Sequence, residues 1–250
     1  MKITNNTIFI TGGTSGIGRA LAEAFHKLGN QVIISGRRTG HLAEVTKANP
    51  GMQSIELNVE DLTSIAAVAK KLIAGHPKLN VLVNNAGIMH IDNPAAVMDD
   101  AQMSCIITTN LLGPIRMTSA LVEHLKQQPS ATIVNVSSGL AFVPLALTSV
   151  YCATKAALHS YTQSTRYRLK GTSVRVLELI PPWVQTDLLD SKDNPNAMPL
   201  IPFIDETMKV LATDSDEILV ERVKPLRNNV GPNESAFVNQ FNDRLAQLEH

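Results

Sequence analysis

Six short apolar runs, at residues 7–11, 31–35, 54–58, 81–84, 132–137 and 174–180, alternate with longer stretches of helical periodicity. Runs this short and this continuously apolar suit strands buried on both faces. The stretches 17–28, 40–48, 62–74, 95–127 and 150–170 read as the helices between them. Strands joined through helices need right-handed crossovers, so the pattern predicts an α/β architecture: a doubly wound parallel sheet of Rossmann type, with helices on both faces. A chain of 250 residues can bury roughly three quarters of its unfolded surface in one domain, and residues 1–250 are read as a single unit. Glu217 to Val223 reads as a further, last strand.

Ligands in such sheets bind beyond the carboxyl ends of the strands. The first strand runs into Thr11-Gly12-Gly13-Thr14-Ser15-Gly16-Ile17-Gly18. Gly12 follows the strand closely, and Gly16 and Gly18 open the next helix, so backbone N–H groups and the helix dipole can face a pyrophosphate with no side chain intervening. Later in the chain, Tyr151 and Lys155 stand four residues apart on a helical stretch, with Ser138 thirteen residues before the tyrosine. That spacing puts phenol and ammonium on one helix face, where a buried cation can lower the pKa of a tyrosine from about 10. Ser137 competes for the serine role, but strand alternation points it to the other side.

Together with Asn84-Asn85-Ala86-Gly87, Asn110 and the segment from Pro181 to Thr186, these elements stand in an order that resembles the short-chain dehydrogenase/reductase family over residues 3 to 225. The resemblance implies hydride transfer between a nicotinamide and a carbonyl/alcohol pair. It makes Tyr151 the acid/base, Ser138 the hydrogen-bond donor to the reacting oxygen, Lys155 the ligand of the nicotinamide ribose, and Asn110 the anchor of a proton-carrying water. It gives Asn84 to structure and Asn85, Ala86 and Gly87 to the cofactor wall. Thr186 would hold the nicotinamide carboxamide, with Val184 and Pro181 beside it. The run Glu178-Leu179-Ile180-Pro181-Pro182-Trp183-Val184-Gln185-Thr186-Asp187-Leu188, with Pro182 where the family usually has glycine, resembles its DltE-like branch.

Cofactor choice is read at Ser35-Gly36-Arg37-Arg38, where the second strand ends. An NAD-preferring site would place a carboxylate there for the ribose hydroxyls. Gly36 stands in its place, and Arg37 and Arg38 can fork onto a phosphate, which implies NADP. Asn58-Val59 stands where the family usually carries Asp-Val, and Asn58 can accept the adenine amine through its amide oxygen.

Twenty-two basic and 22 acidic residues cancel, so no global field favours nucleic acid or an anionic membrane. No window holds 18 consecutive apolar residues, and the first strand begins too early for a signal peptide, so the expected location is the cytoplasm. Cys105 and Cys152 have no metal-ligand spacing, the seven histidines are scattered, and no metal is expected. Prolines 195, 199 and 202 among apolar residues make 188–205 read as an irregular substrate lid. With Leu140, Phe142, Val143 and Trp183 it outlines a pocket for an uncharged carbonyl or alcohol of moderate size. His90 reads as an ordinary edge residue and Cys152 as packing. Relatives pair through the helices here at 95–127 and 150–170, which implies a homodimer or homotetramer; Phe237, Phe241 and Leu245 could face a partner. Leu248-Glu249-His250 reads as the start of a vector-encoded tag.

Overall fold

The computed structural model describes residues 1–229 and 231–246; the Leu248-Glu249-His250 ending lies outside them. Seven strands, β1 (Thr7–Thr11), β2 (Gln31–Gly36), β3 (Gln53–Glu56), β4 (Leu79–Asn84), β5 (Ala131–Val136), β6 (Val174–Ile180) and β7 (Glu217–Leu219), form one parallel sheet in the order β3-β2-β1-β4-β5-β6-β7. The direction of winding reverses between β1 and β4, which opens a crevice beyond their carboxyl ends. Helices α1 (Gly16–Lys27), α2 (Thr39–Ala48), α3 (Leu62–Gly75), α4 (Asp100–Ile107), α5 (Gly113–Lys126), α6 (Ser149–Arg168), α7 (Leu200–Leu211), α8 (Lys224–Arg227) and α9 (Glu234–Ala246) complete the described chain.

The strand alternation divides the core in two. Ile8, Ile10, Val32, Ile34, Val81 and Val83 face one side, with Leu21 and Phe25 of α1 and Phe203 and Leu211 of α7. Phe9, Ile33, Leu82 and Ile133 face the other, with Val68 and Leu72 of α3 and Met117, Leu121 and Leu125 of α5. Each fully buried side chain of this size contributes about 1.5–3 kcal/mol. The stretch Asp100–Lys126 is long and apolar enough to cross a membrane by composition, but its apolar residues of α5 are those packed on the sheet.

Several boundaries differ from the sequence expectation. The long helix begins at Asp100, not near residue 95, because the Asp99 carboxylate caps it by accepting from Ala101 N at 2.9 Å and Gln102 N at 3.3 Å. It is interrupted by a π turn over Thr108–Leu112, which contains Asn110. Strand β3 ends at Glu56, leaving Asn58 in the following loop. The last strand covers only Glu217–Leu219, and Glu221–Val223 tightens into a 3-10 turn. The expected lid shrinks most. Residues 200–205 belong to α7, where Phe203 and Ile204 are buried in the core; Pro202 lies in the first turn, where a missing N–H costs nothing. What is left of the lid is the segment before it. Leu188–Asp193 forms 3-10 turns broken at Leu189 (φ 51°) and Asp190 (φ 49°), two non-glycine residues in the left-handed region. That segment is closed at its base by Gln185 N donating to Met198 O at 2.9 Å and Met198 N to Trp183 O at 2.8 Å.

Candidate active site

The glycine turn lies against the end of β4. Gly12 has φ +68°, and a Cβ there would stand 2.8 Å from the Ala86 Cα, so both conformation and space require glycine. The Asn85 side chain donates to Thr11 O and Gly12 O, each at 3.0 Å, and fixes the turn. Asn85 thus ties the glycine turn to the end of β4 through its side chain. A Cβ on Gly18 would come within 2.3 Å of that same amide. Ser15 precedes α1 but makes no side-chain cap bond, whereas α3 and α4 are capped by Asp61 and Asp99. Among the described residues no side chain accepts from the amides of Gly16, Ile17 and Gly18 at the start of α1, which follow Thr14 and Ser15 in the turn. A glycine cradle and an unsatisfied helix N-terminus fit the pyrophosphate of a dinucleotide. Thr186 sits across from the turn, its Cβ 3.4 Å from where a Cβ on Gly16 would be. Thr186 Oγ1 donates to Val184 O at 3.4 Å, Val184 is buried, and Pro181 O accepts from Gly139 N at 2.9 Å.

Ser138, Tyr151, Lys155 and Asn110 converge at the carboxyl ends of β4 and β5, all of them buried. Asn110 forms a reciprocal pair with the backbone of Ile88, accepting from Ile88 N and donating to Ile88 O, each at 2.8 Å. The π turn is what lets this side chain leave the helix and tie it to the loop after Gly87. Lys155 Nζ donates to Val136 O at 2.9 Å and lies 5.4 Å from the Tyr151 ring centroid. Among the described residues that is its one hydrogen bond, so two ammonium protons face the crevice beside Gly87, whose added Cβ would be 3.6 Å from Nζ.

Burial pushes the Tyr151 phenol above its ordinary range, with the neighbouring Ser138 hydroxyl opposing, so the lowering expected of Lys155 has to act against that rise. Burial also pulls Lys155 down to about 8, opposed by the charge of Glu178. Burial disfavours the charged form of both groups because the site is dry, yet at about 8 the lysine is still an ammonium at neutral pH. A phenol held high is protonated at ordinary pH, which is the state required of a proton donor.

At the adenosine end, Arg37 Nη1 lies 3.0 Å from Glu60 Oε1, so the fork expected to be open for phosphate is paired. Arg38 is exposed at the start of α2. The Asn58 amide oxygen already accepts from Glu60 N at 3.2 Å, so adenine would be its second donor, with Val59 buried next to it. The expected pocket walls also thin out. Val143 is buried in packing, and the Phe142 ring meets His159 edge-on at 4.7 Å, with Arg227 at 4.7 Å over it. Leu140 and Trp183 stay partly exposed, the latter donating through Nε1 to Ser191 Oγ at 2.7 Å. His90 is exposed, and Cys152 Sγ lies 3.3 Å from Leu145 N, away from the crevice.

Sequence reasoning gives no role to Glu178 or Asp92. Glu178 is wholly buried on β6, accepting from Ser137 Oγ at 2.6 Å and paired with His159 Nδ1 at 2.8 Å. Its local signal is a carboxylate inside an apolar strand, and that of His159 is its place four residues after Lys155. His159, Glu178 and Glu217 bring three metal-ligating atoms within 4.8 Å of one another, but Arg227 spans both Glu217 oxygens at 2.8 and 2.9 Å and supplies the counter-charge. Asp92 accepts from Ser149 N at 2.9 Å, Ser149 Oγ at 2.6 Å and Val150 N at 3.0 Å, capping α6. No local pattern announces it, since donor and acceptor are 57 residues apart.

Comparison with known proteins agrees with this arrangement. The family model for short chain dehydrogenase matches residues 6–197. An uncharacterized oxidoreductase of Bacillus subtilis, DltE, is 38% identical over 248 residues, which is 97% of this chain and 98% of that protein. A short chain dehydrogenase from Burkholderia cenocepacia in complex with NADP superposes with a TM-score of 0.84 at 23% identity, over 96% of this chain and 98% of that one. One from Burkholderia phymatum in complex with NAD gives 0.79 at 20% identity, over 96% and 93%. The fold is therefore shared by users of both cofactors. From its glycine turn to its buried tyrosine and lysine, and on these matches, the chain belongs to the short-chain dehydrogenase/reductase family of oxidoreductases and resembles DltE within it.

Proposed function

We propose that this chain is an NADP(H)-dependent reductase or dehydrogenase acting on a small carbonyl or alcohol, with Tyr151 as the acid/base. The observation that carries this is the buried Ser138, Tyr151 and Lys155 cluster facing the glycine cradle. A bound NADP(H) supplies the hydride and, when oxidised, a positive ring beside the site. Tyr151 then gives its proton to the carbonyl oxygen as negative charge grows there, or takes it back in the other direction. Ser138 donates to that same oxygen and stabilises the charge only as it develops. Lys155, with two protons free, binds ribose hydroxyls, and its charge favours the tyrosinate when the proton leaves. Asn110 keeps the loop after Gly87 and the π turn together, holding open the lysine's outer side.

Arg37 and Arg38, with Gly36 in place of an acid, support NADP over NAD. Leu140 and Trp183, with Leu188 and Leu189 half exposed beyond them, support an apolar, uncharged substrate. We read the whole chain as one cytoplasmic oxidoreductase domain, assembled as a homodimer or homotetramer; sedimentation velocity distinguishes the two. The test of the activity is loss of NADPH absorbance across ketones, aldehydes, diketones and quinones, for wild type and Tyr151→Phe. Turnover that falls about 10²- to 10⁴-fold in the variant, with NADPH binding retained, is the expected result. Cofactor binding with no turnover on any compound, or a Tyr151→Phe protein as active as wild type, would point instead to a non-catalytic NADP-binding sensor or to another proton donor.

A further inference from the structure

The carboxylate missing from the end of β2 is present one loop away. Glu60 follows Asn58-Val59, and its Oε1 lies 3.0 Å from Arg37 Nη1 while accepting from Thr109 Oγ1 at 3.1 Å. Its Oε2 accepts from Cys105 Sγ at 3.6 Å. The backbone is held too: Glu60 N donates to Asn58 Oδ1 at 3.2 Å, and Glu60 O accepts from Arg116 Nη1 at 3.2 Å. Cys105 of α4 and Thr109 of the π turn hold the carboxylate, while Asn58 and Arg116 of α5 hold the backbone, so the residue is fixed from four elements. Arg37 is the loose member of the pair, its side chain 59% exposed against 26% for Glu60.

We propose that Glu60 is a specificity-determining residue that competes with the cofactor 2′-phosphate for Arg37 and so narrows the preference for NADPH over NADH. The inference rests on the NADP reading above. The Arg37 guanidinium has five N–H donors and gives one of them to Glu60, so a phosphate must either draw the arginine away or share it with Glu60, and a fixed carboxylate then stands near a phosphate of the same sign. NADH brings no phosphate, so its binding leaves the pair intact. Removing the Glu60 charge should therefore help NADPH alone. The pair also explains how an exposed arginine is kept at the rim of the adenosine site between turnovers.

The variant is Glu60→Gln, which keeps an acceptor for Thr109 and both backbone bonds. NADPH and NADH dissociation constants are measured by cofactor fluorescence for wild type, Glu60→Gln and Arg37→Ala, at low salt and at about 0.5 M salt. Glu60→Gln should bind NADPH roughly two- to fivefold more tightly, the scale of one exposed ion pair, and NADH unchanged. The gain should shrink in high salt. Unchanged or weaker NADPH binding overturns the proposal, and so does an equal gain for both cofactors, which would place the effect on their shared adenosine. A wild type that binds NADH as tightly as NADPH, with Arg37→Ala altering neither, defeats the NADP reading itself, whatever Glu60→Gln does.

Discussion

A buried lysine costs stability whenever it is charged, and Lys155 shows how function is placed ahead of stability at the scale of one residue. Burial pulls its pKa down to about 8, below the value near 10.4 of an unfolded chain. Because the folded value is depressed, the unfolded state binds more protons between these two values, and stability rises with pH across that window. Below about pH 8 the full penalty applies, of the order of 3 kcal/mol. Lys155→Met should therefore raise Tm at pH 7 by several degrees and lose that advantage as pH climbs toward 10, while abolishing turnover. Thermal unfolding against pH checks it; a destabilised variant at pH 7 would mean that the ammonium is held by more than Val136 O. Glu178 works against the depression. Glu178→Gln should move the alkaline loss of cofactor affinity to lower pH, whereas Ser137→Ala, which keeps the charge, should leave it in place.

At the scale of elements, α6 carries both Tyr151 and Lys155, and its own N-cap residue Thr148 makes no side-chain cap bond. Asp92 caps it instead from the loop that Asn110 ties down, and Asp92 N donates in return to Leu147 O at 2.9 Å. Tyr151 is the third residue of the helix, so fraying of the first turn displaces the phenol directly. Asp92→Ala should cost about 0.5–2 kcal/mol, the range for a lost cap, or roughly 1–8 °C in Tm for a chain of this size. It should lower kcat more than it raises KM, and Asp92→Asn should recover part of both; unchanged kcat with a lowered Tm would make the cap purely structural. The contrast shows what sequence can reveal. Strands β1, β2, β4, β5 and β6, the glycine turn and the Tyr151/Lys155 spacing were legible because each is written in consecutive residues. Asp92 on α6, Glu60 on Arg37 and Glu178 on His159 were not, because each joins elements far apart in the chain by one side chain. Residues 200–205 misled for the opposite reason: Pro199 and Pro202 look like loop signals locally, yet both are compatible with a helix start, and burial of Phe203 and Ile204 decides.

Across the whole molecule the core runs on past β7 through Val220 and Val223, with Leu226 of α8 packed against it, and α9 lies outside it with none of its residues buried. Among the described residues its hydrogen-bonded link to the rest is one side chain. Asn242 accepts from Ala146 N at 2.6 Å and donates to Pro144 O at 3.0 Å, gripping the stretch between Ser138 and Tyr151. An element that buries so little contributes little to global stability, but it can order the segment it touches. Removing residues 231–250 should lower Tm by no more than about 2–4 °C, the shift of a single kilocalorie in a chain this long. The same deletion should speed amide exchange at 144–149 and raise KM several-fold with kcat little changed, and Asn242→Ala should reproduce the exchange and KM effects without the deletion. If Asn242→Ala is silent while the deletion dissociates the assembly, then Phe237, Phe241 and Leu245 hold a second copy of the chain, and α9 acts between subunits rather than on its own active site.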